Sequence, residues 1–168
     1  MSNEEEVIIE VTSFDVIVIG GGLAALSAAI EAANLGSSVA LINKGITGSS
    51  GSSAKAAGVL AESFGHGDTK NRPGTNSVRQ HSEDTFKVEY IIGNPSIIDH
   101  VTSNAKDAVH WLERMGVQFS TAEDGGYIQL NAPGNSSPRG CSALGGGNAI
   151  MKNLIEKAKA LNVTIIDN

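Results

Sequence analysis

An unbroken apolar run, a cluster of glycines and an alanine-rich segment follow one another in the first quarter of the chain. The apolar run VIVI occupies residues 16–19, and the alanine-rich segment ends at Gly36. β-Branched residues without polar alternation are typical of a strand buried on both faces, and the alanine-rich segment predicts an amphipathic helix. A second apolar run, SVALI at residues 38–42, completes a strand–helix–strand unit. The pattern therefore predicts two parallel strands joined by a helix.

Helical spacing of apolar residues continues in the second half of the chain. One predicted helix begins after Ser77 and stops at Gly93. In the next, Asn94 is the cap, Pro95 takes the first position and Gly116 ends the helix. Three- and four-residue spacing predicts one buried stripe on that helix, formed by Ile97, Val101, Ala105, Ala108, Leu112 and Met115.

The last predicted helix leads into the strand VTIID at residues 163–167. One face of this helix carries the apolar residues Ile150, Leu154, Ala158 and Leu161. Strand–helix alternation at both ends of the chain predicts a parallel sheet with flanking helices. A hairpin is predicted at residues 116–130, where 117–119 and 127–130 flank the turn signal EDGG. Residues 61–76 read as a polar loop, and the acidic residues 1–13 form an N-terminal tail whose VIIEV run could add an edge strand.

The glycine cluster has the spacing G-x-G-x-x-A between the first strand and the first helix. Gly20 would make the tight turn, Gly22 would let the backbone approach a pyrophosphate, and Ala25 would keep the helix close to the strand. The helix would then direct its free N–H groups and its positive end at the phosphate. The predicted dinucleotide-binding residues here are Gly20, Gly21, Gly22, Leu23, Ala24 and Ala25.

The residue at the end of the second strand differs from the one expected in an NAD site. An NAD site normally has an acid there, to hold a ribose hydroxyl, but this chain has Asn43 followed by Lys44. Residues 45–58 are rich in glycine, serine and alanine, which composition alone would assign to a flexible linker. A loop that leaves this strand returns to the phosphate-binding crevice, so a cofactor loop is the alternative. The further candidate binding residues are Asn43, Lys44, Ser50, Gly51, Ser52, Ser53, Ala57 and Gly58.

Residues 15–58 resemble the flavoprotein family of succinate dehydrogenase, fumarate reductase and L-aspartate oxidase, in which a Ser/Thr/Ala/Gly loop follows a similar fingerprint. HSEDT at residues 81–85 and VTSNAKDAVHWLERMGVQF at residues 101–119 extend the resemblance to residues 14–168. The resemblance implies an FAD-binding, Rossmann-like α/β domain over residues 14–168. It also implies an oxidoreductase that acts on a small dicarboxylate or amino acid.

Two departures from the family refine this expectation. Membrane-bound members attach FAD through a histidine in the Ser/Gly loop, and no histidine lies between Asn43 and Gly58. Non-covalent FAD is therefore expected. Aspartate oxidases carry a His- and Arg-rich stretch where residues 132–148 of this chain retain only Arg139.

Family members are far longer than 168 residues, and the resemblance places the capping domain and catalytic groups beyond Asn168. The expected fold is thus incomplete at the C-terminus, and no catalytic residue is assigned. A second polypeptide could complete the flavin domain. Two alternatives are a truncated, non-catalytic dinucleotide-binding module and, less favoured, an NAD(P)-dependent Rossmann enzyme.

Composition excludes several other functions. The formal net charge is −6 and the pI about 5.1, which argues against nucleic acid or anionic membrane as a partner. The longest apolar run, residues 16–30, is too short and glycine-rich to insert into a bilayer, and the acidic N-terminus lacks the basic region of a signal peptide. Cys141 is the single cysteine, so no intrachain disulfide forms and a reducing cytoplasm is expected. No Cys/His cluster has metal-ligand spacing.

Four side chains have alternative interpretations. His81 could hydrogen-bond the flavin region, or be a helix-start histidine satisfied by polar neighbours. Arg139 could position a substrate carboxylate, or form a structural ion pair. For Trp111 core packing competes with flavin stacking, and Cys141 is either a buried residue or a reactive thiol.

Overall fold

The computed structural model describes residues 12–63, 76–90, 92–123 and 125–168. The predicted edge strand in the N-terminal tail and most of the predicted polar loop lie outside these residues. A short 3-10 helix is present at Ser53–Lys55. The strands and α-helices in chain order are β1 (Val16–Ile19), α1 (Leu23–Asn34), β2 (Val39–Asn43), β3 (Val59–Ala61), α2 (Val78–Val88), α3 (Pro95–Arg114), β4 (Gln129–Leu130), β5 (Gly140–Ser142), α4 (Gly146–Ala160) and β6 (Thr164–Asp167).

A three-stranded parallel sheet organises the described chain, as the strand–helix alternation predicts. Its strand order is β1-β2-β6, with Val16 opposite Val39 and Ala40 opposite Thr164. Helix α1 connects β1 to β2, packs against both strands and contacts α4. The core between the sheet and these helices contains the buried residues Leu26, Ile30, Leu41, Leu154 and Ala158. The α/β fold class with flanking helices is confirmed.

Strand β1 departs from the expectation of burial on both faces. Val16 and Val18 pack against the core, whereas Ile17 is 58% exposed and Ile19 is 85% exposed. Helix α1 covers one face of the strand, so alternate side chains point away from it. Ile42 and Ile166 on the neighbouring strands are also exposed. The described part of the chain therefore has an apolar, uncovered sheet face, which an apolar run alone cannot distinguish from a buried one.

A second, antiparallel sheet has the strand order β3-β5-β4 and was not predicted. The predicted hairpin turn is present, with Thr121 bridging Tyr127, but the residues on its two sides find different strand partners from those predicted. Phe119 bridges Ala143 next to β5, and β4 pairs with β5. The residues flanking the turn therefore pair mainly with β5 rather than with each other.

The helices begin where the caps predict. Ser77 accepts a hydrogen bond from Gln80 N at the start of α2, and Asn94 accepts one from Ser96 N at the start of α3. Helix α2 ends at Val88, before the predicted Gly93. Helix α4 buries the predicted face through Ile150, Leu154 and Ala158, together with Met151.

The predicted buried stripe of α3 is wrong at Ile97, Val101 and Ala108, which are exposed. Ile97 is 61% exposed and Val101 is 58% exposed, whereas the buried residues of this helix are Ile98, Thr102, Val109 and Leu112. Both sets have helical spacing, because α3 is apolar on two faces. Periodicity cannot determine which face the rest of the chain covers.

Candidate functional site

The turn between β1 and α1 requires glycine in this structure. Gly20 has φ of +125° and donates its N–H to the Ile42 carbonyl over 2.8 Å. A Cβ atom on Gly21 would lie 2.3 Å from Asn43 Nδ2. A Cβ on Gly22 would lie 3.1 Å from Ser53 Oγ. The turn is thus held against the loop at residues 45–58, with no room for a side chain at Gly21.

The N-terminus of α1 has no side-chain cap from its own cap residue. Gly22 is the cap residue, it offers no side-chain acceptor, and the first turn contains no acidic residue. A hydroxyl from the loop approaches instead, since Leu23 N donates to Ser53 Oγ over 3.2 Å. Free N–H groups and the helix dipole together favour a negatively charged ligand at this end. This geometry suits the pyrophosphate expected from the sequence.

The loop at residues 45–58 returns to the crevice rather than forming a free linker. Gly48 N donates to the Gly21 carbonyl over 3.1 Å, which joins the loop to the glycine turn. Asn43 Nδ2 donates to Gly45 O over 2.8 Å and to Ser50 Oγ over 3.2 Å. Asn43 therefore braces the loop with its amide nitrogen.

A second glycine cluster, residues 145–147, packs against the same loop. Gly147 N donates to Ala56 O over 2.9 Å. A Cβ on Gly147 would lie 2.1 Å from Ser53 O, and one on Gly58 would lie 2.6 Å from the Gly146 Cα. The start of α4 thus fixes the loop by backbone-to-backbone contact. Sequence reasoning missed this role, although three glycines before a helical pattern were a usable signal.

These segments enclose a crevice of about 340 Å3. It brings together the predicted residues Leu23, Ser52, Ser53, Ala57 and Gly58, and it adds Ala56, Gly147, Ile150 and Met151, which were not predicted. Gly20, Gly21, Gly22 and Ala25 form the adjoining turn and first helical turn. Ala24, Lys44, Ser50 and Gly51 are exposed and do not line the crevice, and neither does Asn43, which braces the loop instead.

Arg139 is fully buried and forms an ion pair with Asp84, with 2.8 Å between Nη2 and Oδ2. Asp84 also accepts hydrogen bonds from the backbone N–H and the hydroxyl of Ser136. Burial raises the pKa of Asp84, but the hydrogen bonds from Ser136, Gln80 and Arg139 outweigh it and bring the pKa to about 2. The structure thus favours the structural ion pair for Arg139 over a carboxylate clamp.

Three other buried groups have perturbed pKa values. Burial raises the pKa of Glu62 to about 8, although the positive charge of Lys106 acts to lower this pKa. Burial and the Arg139 charge lower the pKa of His81, partly opposed by Asp84. Burial, with a contribution from Glu62, raises the pKa of Cys141 to about 12. Cys141 is fully buried in the core, so the interpretation as a structural residue holds and a reactive thiol is disfavoured.

The prediction for Trp111 has a clear outcome within the described residues. Trp111 packs against the core and donates from Nε1 to Glu31 Oε1 over 2.6 Å, which links α3 to α1. Among the residues that the structure covers, no group of three His, Cys, Asp or Glu side chains could hold a metal ion. None of the helices in the same part of the chain is long and apolar enough to cross a membrane.

Comparison with known proteins agrees with this geometry. The family model described as "FAD binding domain" matches residues 15–168. An FAD-dependent oxidoreductase of Methanocaldococcus jannaschii is 34% identical over 143 residues, which are 84% of this chain and 25% of that protein. The succinate dehydrogenase flavoprotein subunit of Rickettsia bellii is 32% identical over 154 residues, which are 86% of this chain and 25% of that subunit.

Among solved structures, the apo form of the Mycobacterium smegmatis Sdh1 complex superposes with a TM-score of 0.80 and 28% identity, over 92% of this chain and 27% of that one. The chain spans about a quarter of the length of the relatives it matches. Its glycine turn packs against Asn43 with no room for a side chain at Gly21, and the α1 N-terminus offers backbone donors to a pyrophosphate. Fingerprint, crevice and matches together show that the chain belongs to the FAD-binding domain family of succinate dehydrogenase, fumarate reductase and L-aspartate oxidase flavoproteins, with FAD as its cofactor.

Proposed function

We propose that the chain is the FAD-binding part of a flavin-dependent oxidoreductase that acts on a small dicarboxylate or amino acid. The observation that carries the proposal is the convergence of the glycine turn, the uncapped α1 N-terminus and the loop at residues 45–58 on one crevice. When bound, FAD supplies hydride chemistry that no side chain can perform. The chain itself binds and orients the adenosine-diphosphate portion of the cofactor.

In this proposal each segment of the crevice has its own role. The remaining free first-turn amides of α1 hold the pyrophosphate at the positive end of the helix. Ser53, whose Oγ accepts a hydrogen bond from Leu23 N, retains its own O–H to donate to the phosphate. Asn43 holds the ribose through its amide oxygen, since its nitrogen is engaged by Gly45 and Ser50. FAD is bound non-covalently, because residues 43–58 contain no histidine to form a covalent link.

We further propose that these 168 residues alone lack turnover. Substrate carboxylates need cations, but Arg139 is buried in its ion pair with Asp84, while Lys44 and Lys55 lie exposed beside the crevice. The isolated chain then acts as a non-catalytic FAD-binding module. Its acidic composition and single buried cysteine favour a cytoplasmic location.

Titration with FAD tests binding, and a turnover assay tests catalytic competence. Purified chain should change the fluorescence of added FAD in a saturable way, and the absence of any saturable change would refute the cofactor proposal. Fumarate, succinate and L-aspartate, each with added FAD and an artificial electron carrier, should show no turnover. A rate of about 1 per second or more, as enzymes typically have, would mean that the catalytic groups are present.

A further inference from the structure

The loop at residues 45–58 is bonded to the last strand as well as to the glycine turn. Asp167, at the carboxyl end of β6, accepts a hydrogen bond from Thr47 N over 3.0 Å at Oδ2. It accepts a second bond from the Thr47 hydroxyl over 2.6 Å at Oδ1. Hydrogen bonds to a carboxylate are stronger than those between neutral groups. We call this pair of bonds the Thr47–Asp167 anchor.

The anchor acts where the loop meets the glycine turn. Thr47 is buried, and a Cβ atom on Gly21 would lie 3.0 Å from its hydroxyl oxygen. The next residue, Gly48, donates its N–H to the Gly21 carbonyl over 3.1 Å. Two consecutive loop residues therefore bond different parts of the fold, Thr47 the end of β6 and Gly48 the turn before α1. A displacement of Thr47 would move the loop relative to the turn that faces the pyrophosphate.

The register of the parallel sheet explains why β6 reaches the loop. Pairing of β6 with β2 places Asp167 opposite Asn43. Asn43 braces the same loop from β2, since its amide nitrogen donates to Gly45 O and Ser50 Oγ. Two neighbouring strands thus each direct one polar side chain to the loop from their carboxyl ends, the edge at which parallel α/β sheets bind their ligands.

We propose that Asp167 is a positioning residue for FAD, which acts on the cofactor loop through Thr47. This role rests on the proposed FAD crevice, which neither Thr47 nor Asp167 lines. The anchor holds the loop in the conformation that brings Ser53 to the α1 N-terminus, where Ser53 Oγ accepts a hydrogen bond from Leu23 N. Without the anchor, binding of FAD would have to order the loop, and that entropic cost would lower the affinity.

Substitutions at the two partners test the role by fluorescence titration with FAD. Asp167→Ala removes both bonds and should raise the Kd at least about tenfold. Thr47→Val keeps the N–H and the shape but loses the hydroxyl, so a rise of about threefold is expected. Thr47→Ser retains the hydroxyl and should bind within about twofold of the parent chain. Adding Thr47→Val to Asp167→Ala should cause no further loss, because the hydroxyl has already lost its acceptor.

A matched control lies at the opposite end of the same sheet. Asp15, just before β1, accepts hydrogen bonds from Ser38 N over 2.8 Å and from the Ser38 hydroxyl over 2.6 Å. These bonds have the chemistry of the anchor, but about 16 Å of extended strand separates Asp15 from Gly20. Asp15→Ala should therefore leave the Kd of FAD within about twofold, and urea unfolding compares its loss of stability with that of Asp167→Ala. Equal losses of FAD affinity in the two variants would overturn the positioning role.

Hydrogen exchange of the chain without FAD tests the anchor independently of the cofactor. The N–H groups of Gly48 and Ser50 bond backbone carbonyls rather than Asp167, so their exchange measures the order of the loop itself. Both should exchange at least about tenfold faster in Asp167→Ala and at the parent rate in Asp15→Ala. Unchanged exchange in Asp167→Ala would overturn the proposal.

The two measurements separate failure of this role from failure of the crevice. A parent chain that binds FAD, with the same Kd in Asp167→Ala, would overturn the role of Asp167 alone. A parent chain that binds no FAD would refute the crevice, and with it the role of Asp167, whatever the exchange rates.

Discussion

Replacing Glu62 with glutamine should stabilise the fold, and the gain should grow with pH. Glu62 is fully buried at the end of β3, and neither carboxyl oxygen has a hydrogen-bond partner among the described residues. Burial raises its pKa from 4.5 to about 8. A group whose pKa is higher in the folded than in the unfolded state loses stability as the pH rises between the two values. Glu62 therefore destabilises the fold progressively from pH 4.5 to pH 8.

The difference between the unfolded and folded pKa values of Glu62 sets the magnitude of the stability penalty. At about 1.4 kcal/mol per unit, the penalty is about 3 kcal/mol at pH 7 and at most about 5 kcal/mol at pH 8 and above. Glutamine has a similar shape and no charge, so Glu62→Gln should be near neutral at pH 5 and several kcal/mol more stable at pH 8. The penalty is a large fraction of the stability of an ordinary domain.

Urea unfolding followed by circular dichroism at pH 5, 6.5 and 8 measures the difference between parent and variant. Taking the difference at each pH removes titrations common to both chains, such as that of His81, whose pKa is lowered by burial. Glu83→Gln is the control, because Glu83 forms an exposed i,i+4 ion pair with Arg79. Its effect should stay within about 0.5 kcal/mol at every pH. A gain from Glu62→Gln that does not change between pH 5 and pH 8 would refute the raised pKa.

Three further predictions concern the cofactor crevice. Gly147→Ala should lower FAD affinity at least about tenfold in a fluorescence titration, because the added Cβ would lie 2.1 Å from Ser53 O. Asn148→Ala, at the exposed neighbouring position, is the control and should bind FAD with the affinity of the parent chain. Gly22→Asp should abolish FAD binding in the same titration, since a carboxylate would meet the pyrophosphate, and unchanged affinity would remove the glycine turn from the site. Bound flavin should separate from the chain in acid or on a denaturing gel, because residues 43–58 contain no histidine, and flavin that co-migrates would contradict this.

Local chemistry explains which features the sequence could predict. The glycine cluster places the turn, because Gly20 has a positive φ and the close approach of Asn43 to Gly21 excludes a side chain there. Helix starts were equally predictable, since Ser77 and Asn94 cap their helices through neighbouring residues. These features depend on contacts within a few residues or within one strand–helix–strand unit.

Features that depend on distant parts of the chain could not be predicted. Arg139 pairs with Asp84, which is 55 residues away, so its ionic role is visible only after the fold brings the two together. The face of α3 was misassigned because two apolar stripes compete and only tertiary packing selects between them. The second sheet was missed for a related reason, since β3, β4 and β5 have two or three residues each and carry little periodicity.

The contact between Thr47 and Asp167 has a consequence for the order of events during synthesis. Thr47 donates from its backbone N–H over 3.0 Å and from its hydroxyl over 2.6 Å to the carboxylate of Asp167, across 120 positions of sequence. Contacts of such long range form slowly, because a long intervening chain must first be closed. A nascent chain with β1, α1 and β2 already outside the ribosome has the local bonds from Gly48 and Asn43 but still lacks the Thr47–Asp167 anchor of its cofactor loop. The loop should therefore reach its final FAD-binding geometry only after β6 has emerged and paired with β2.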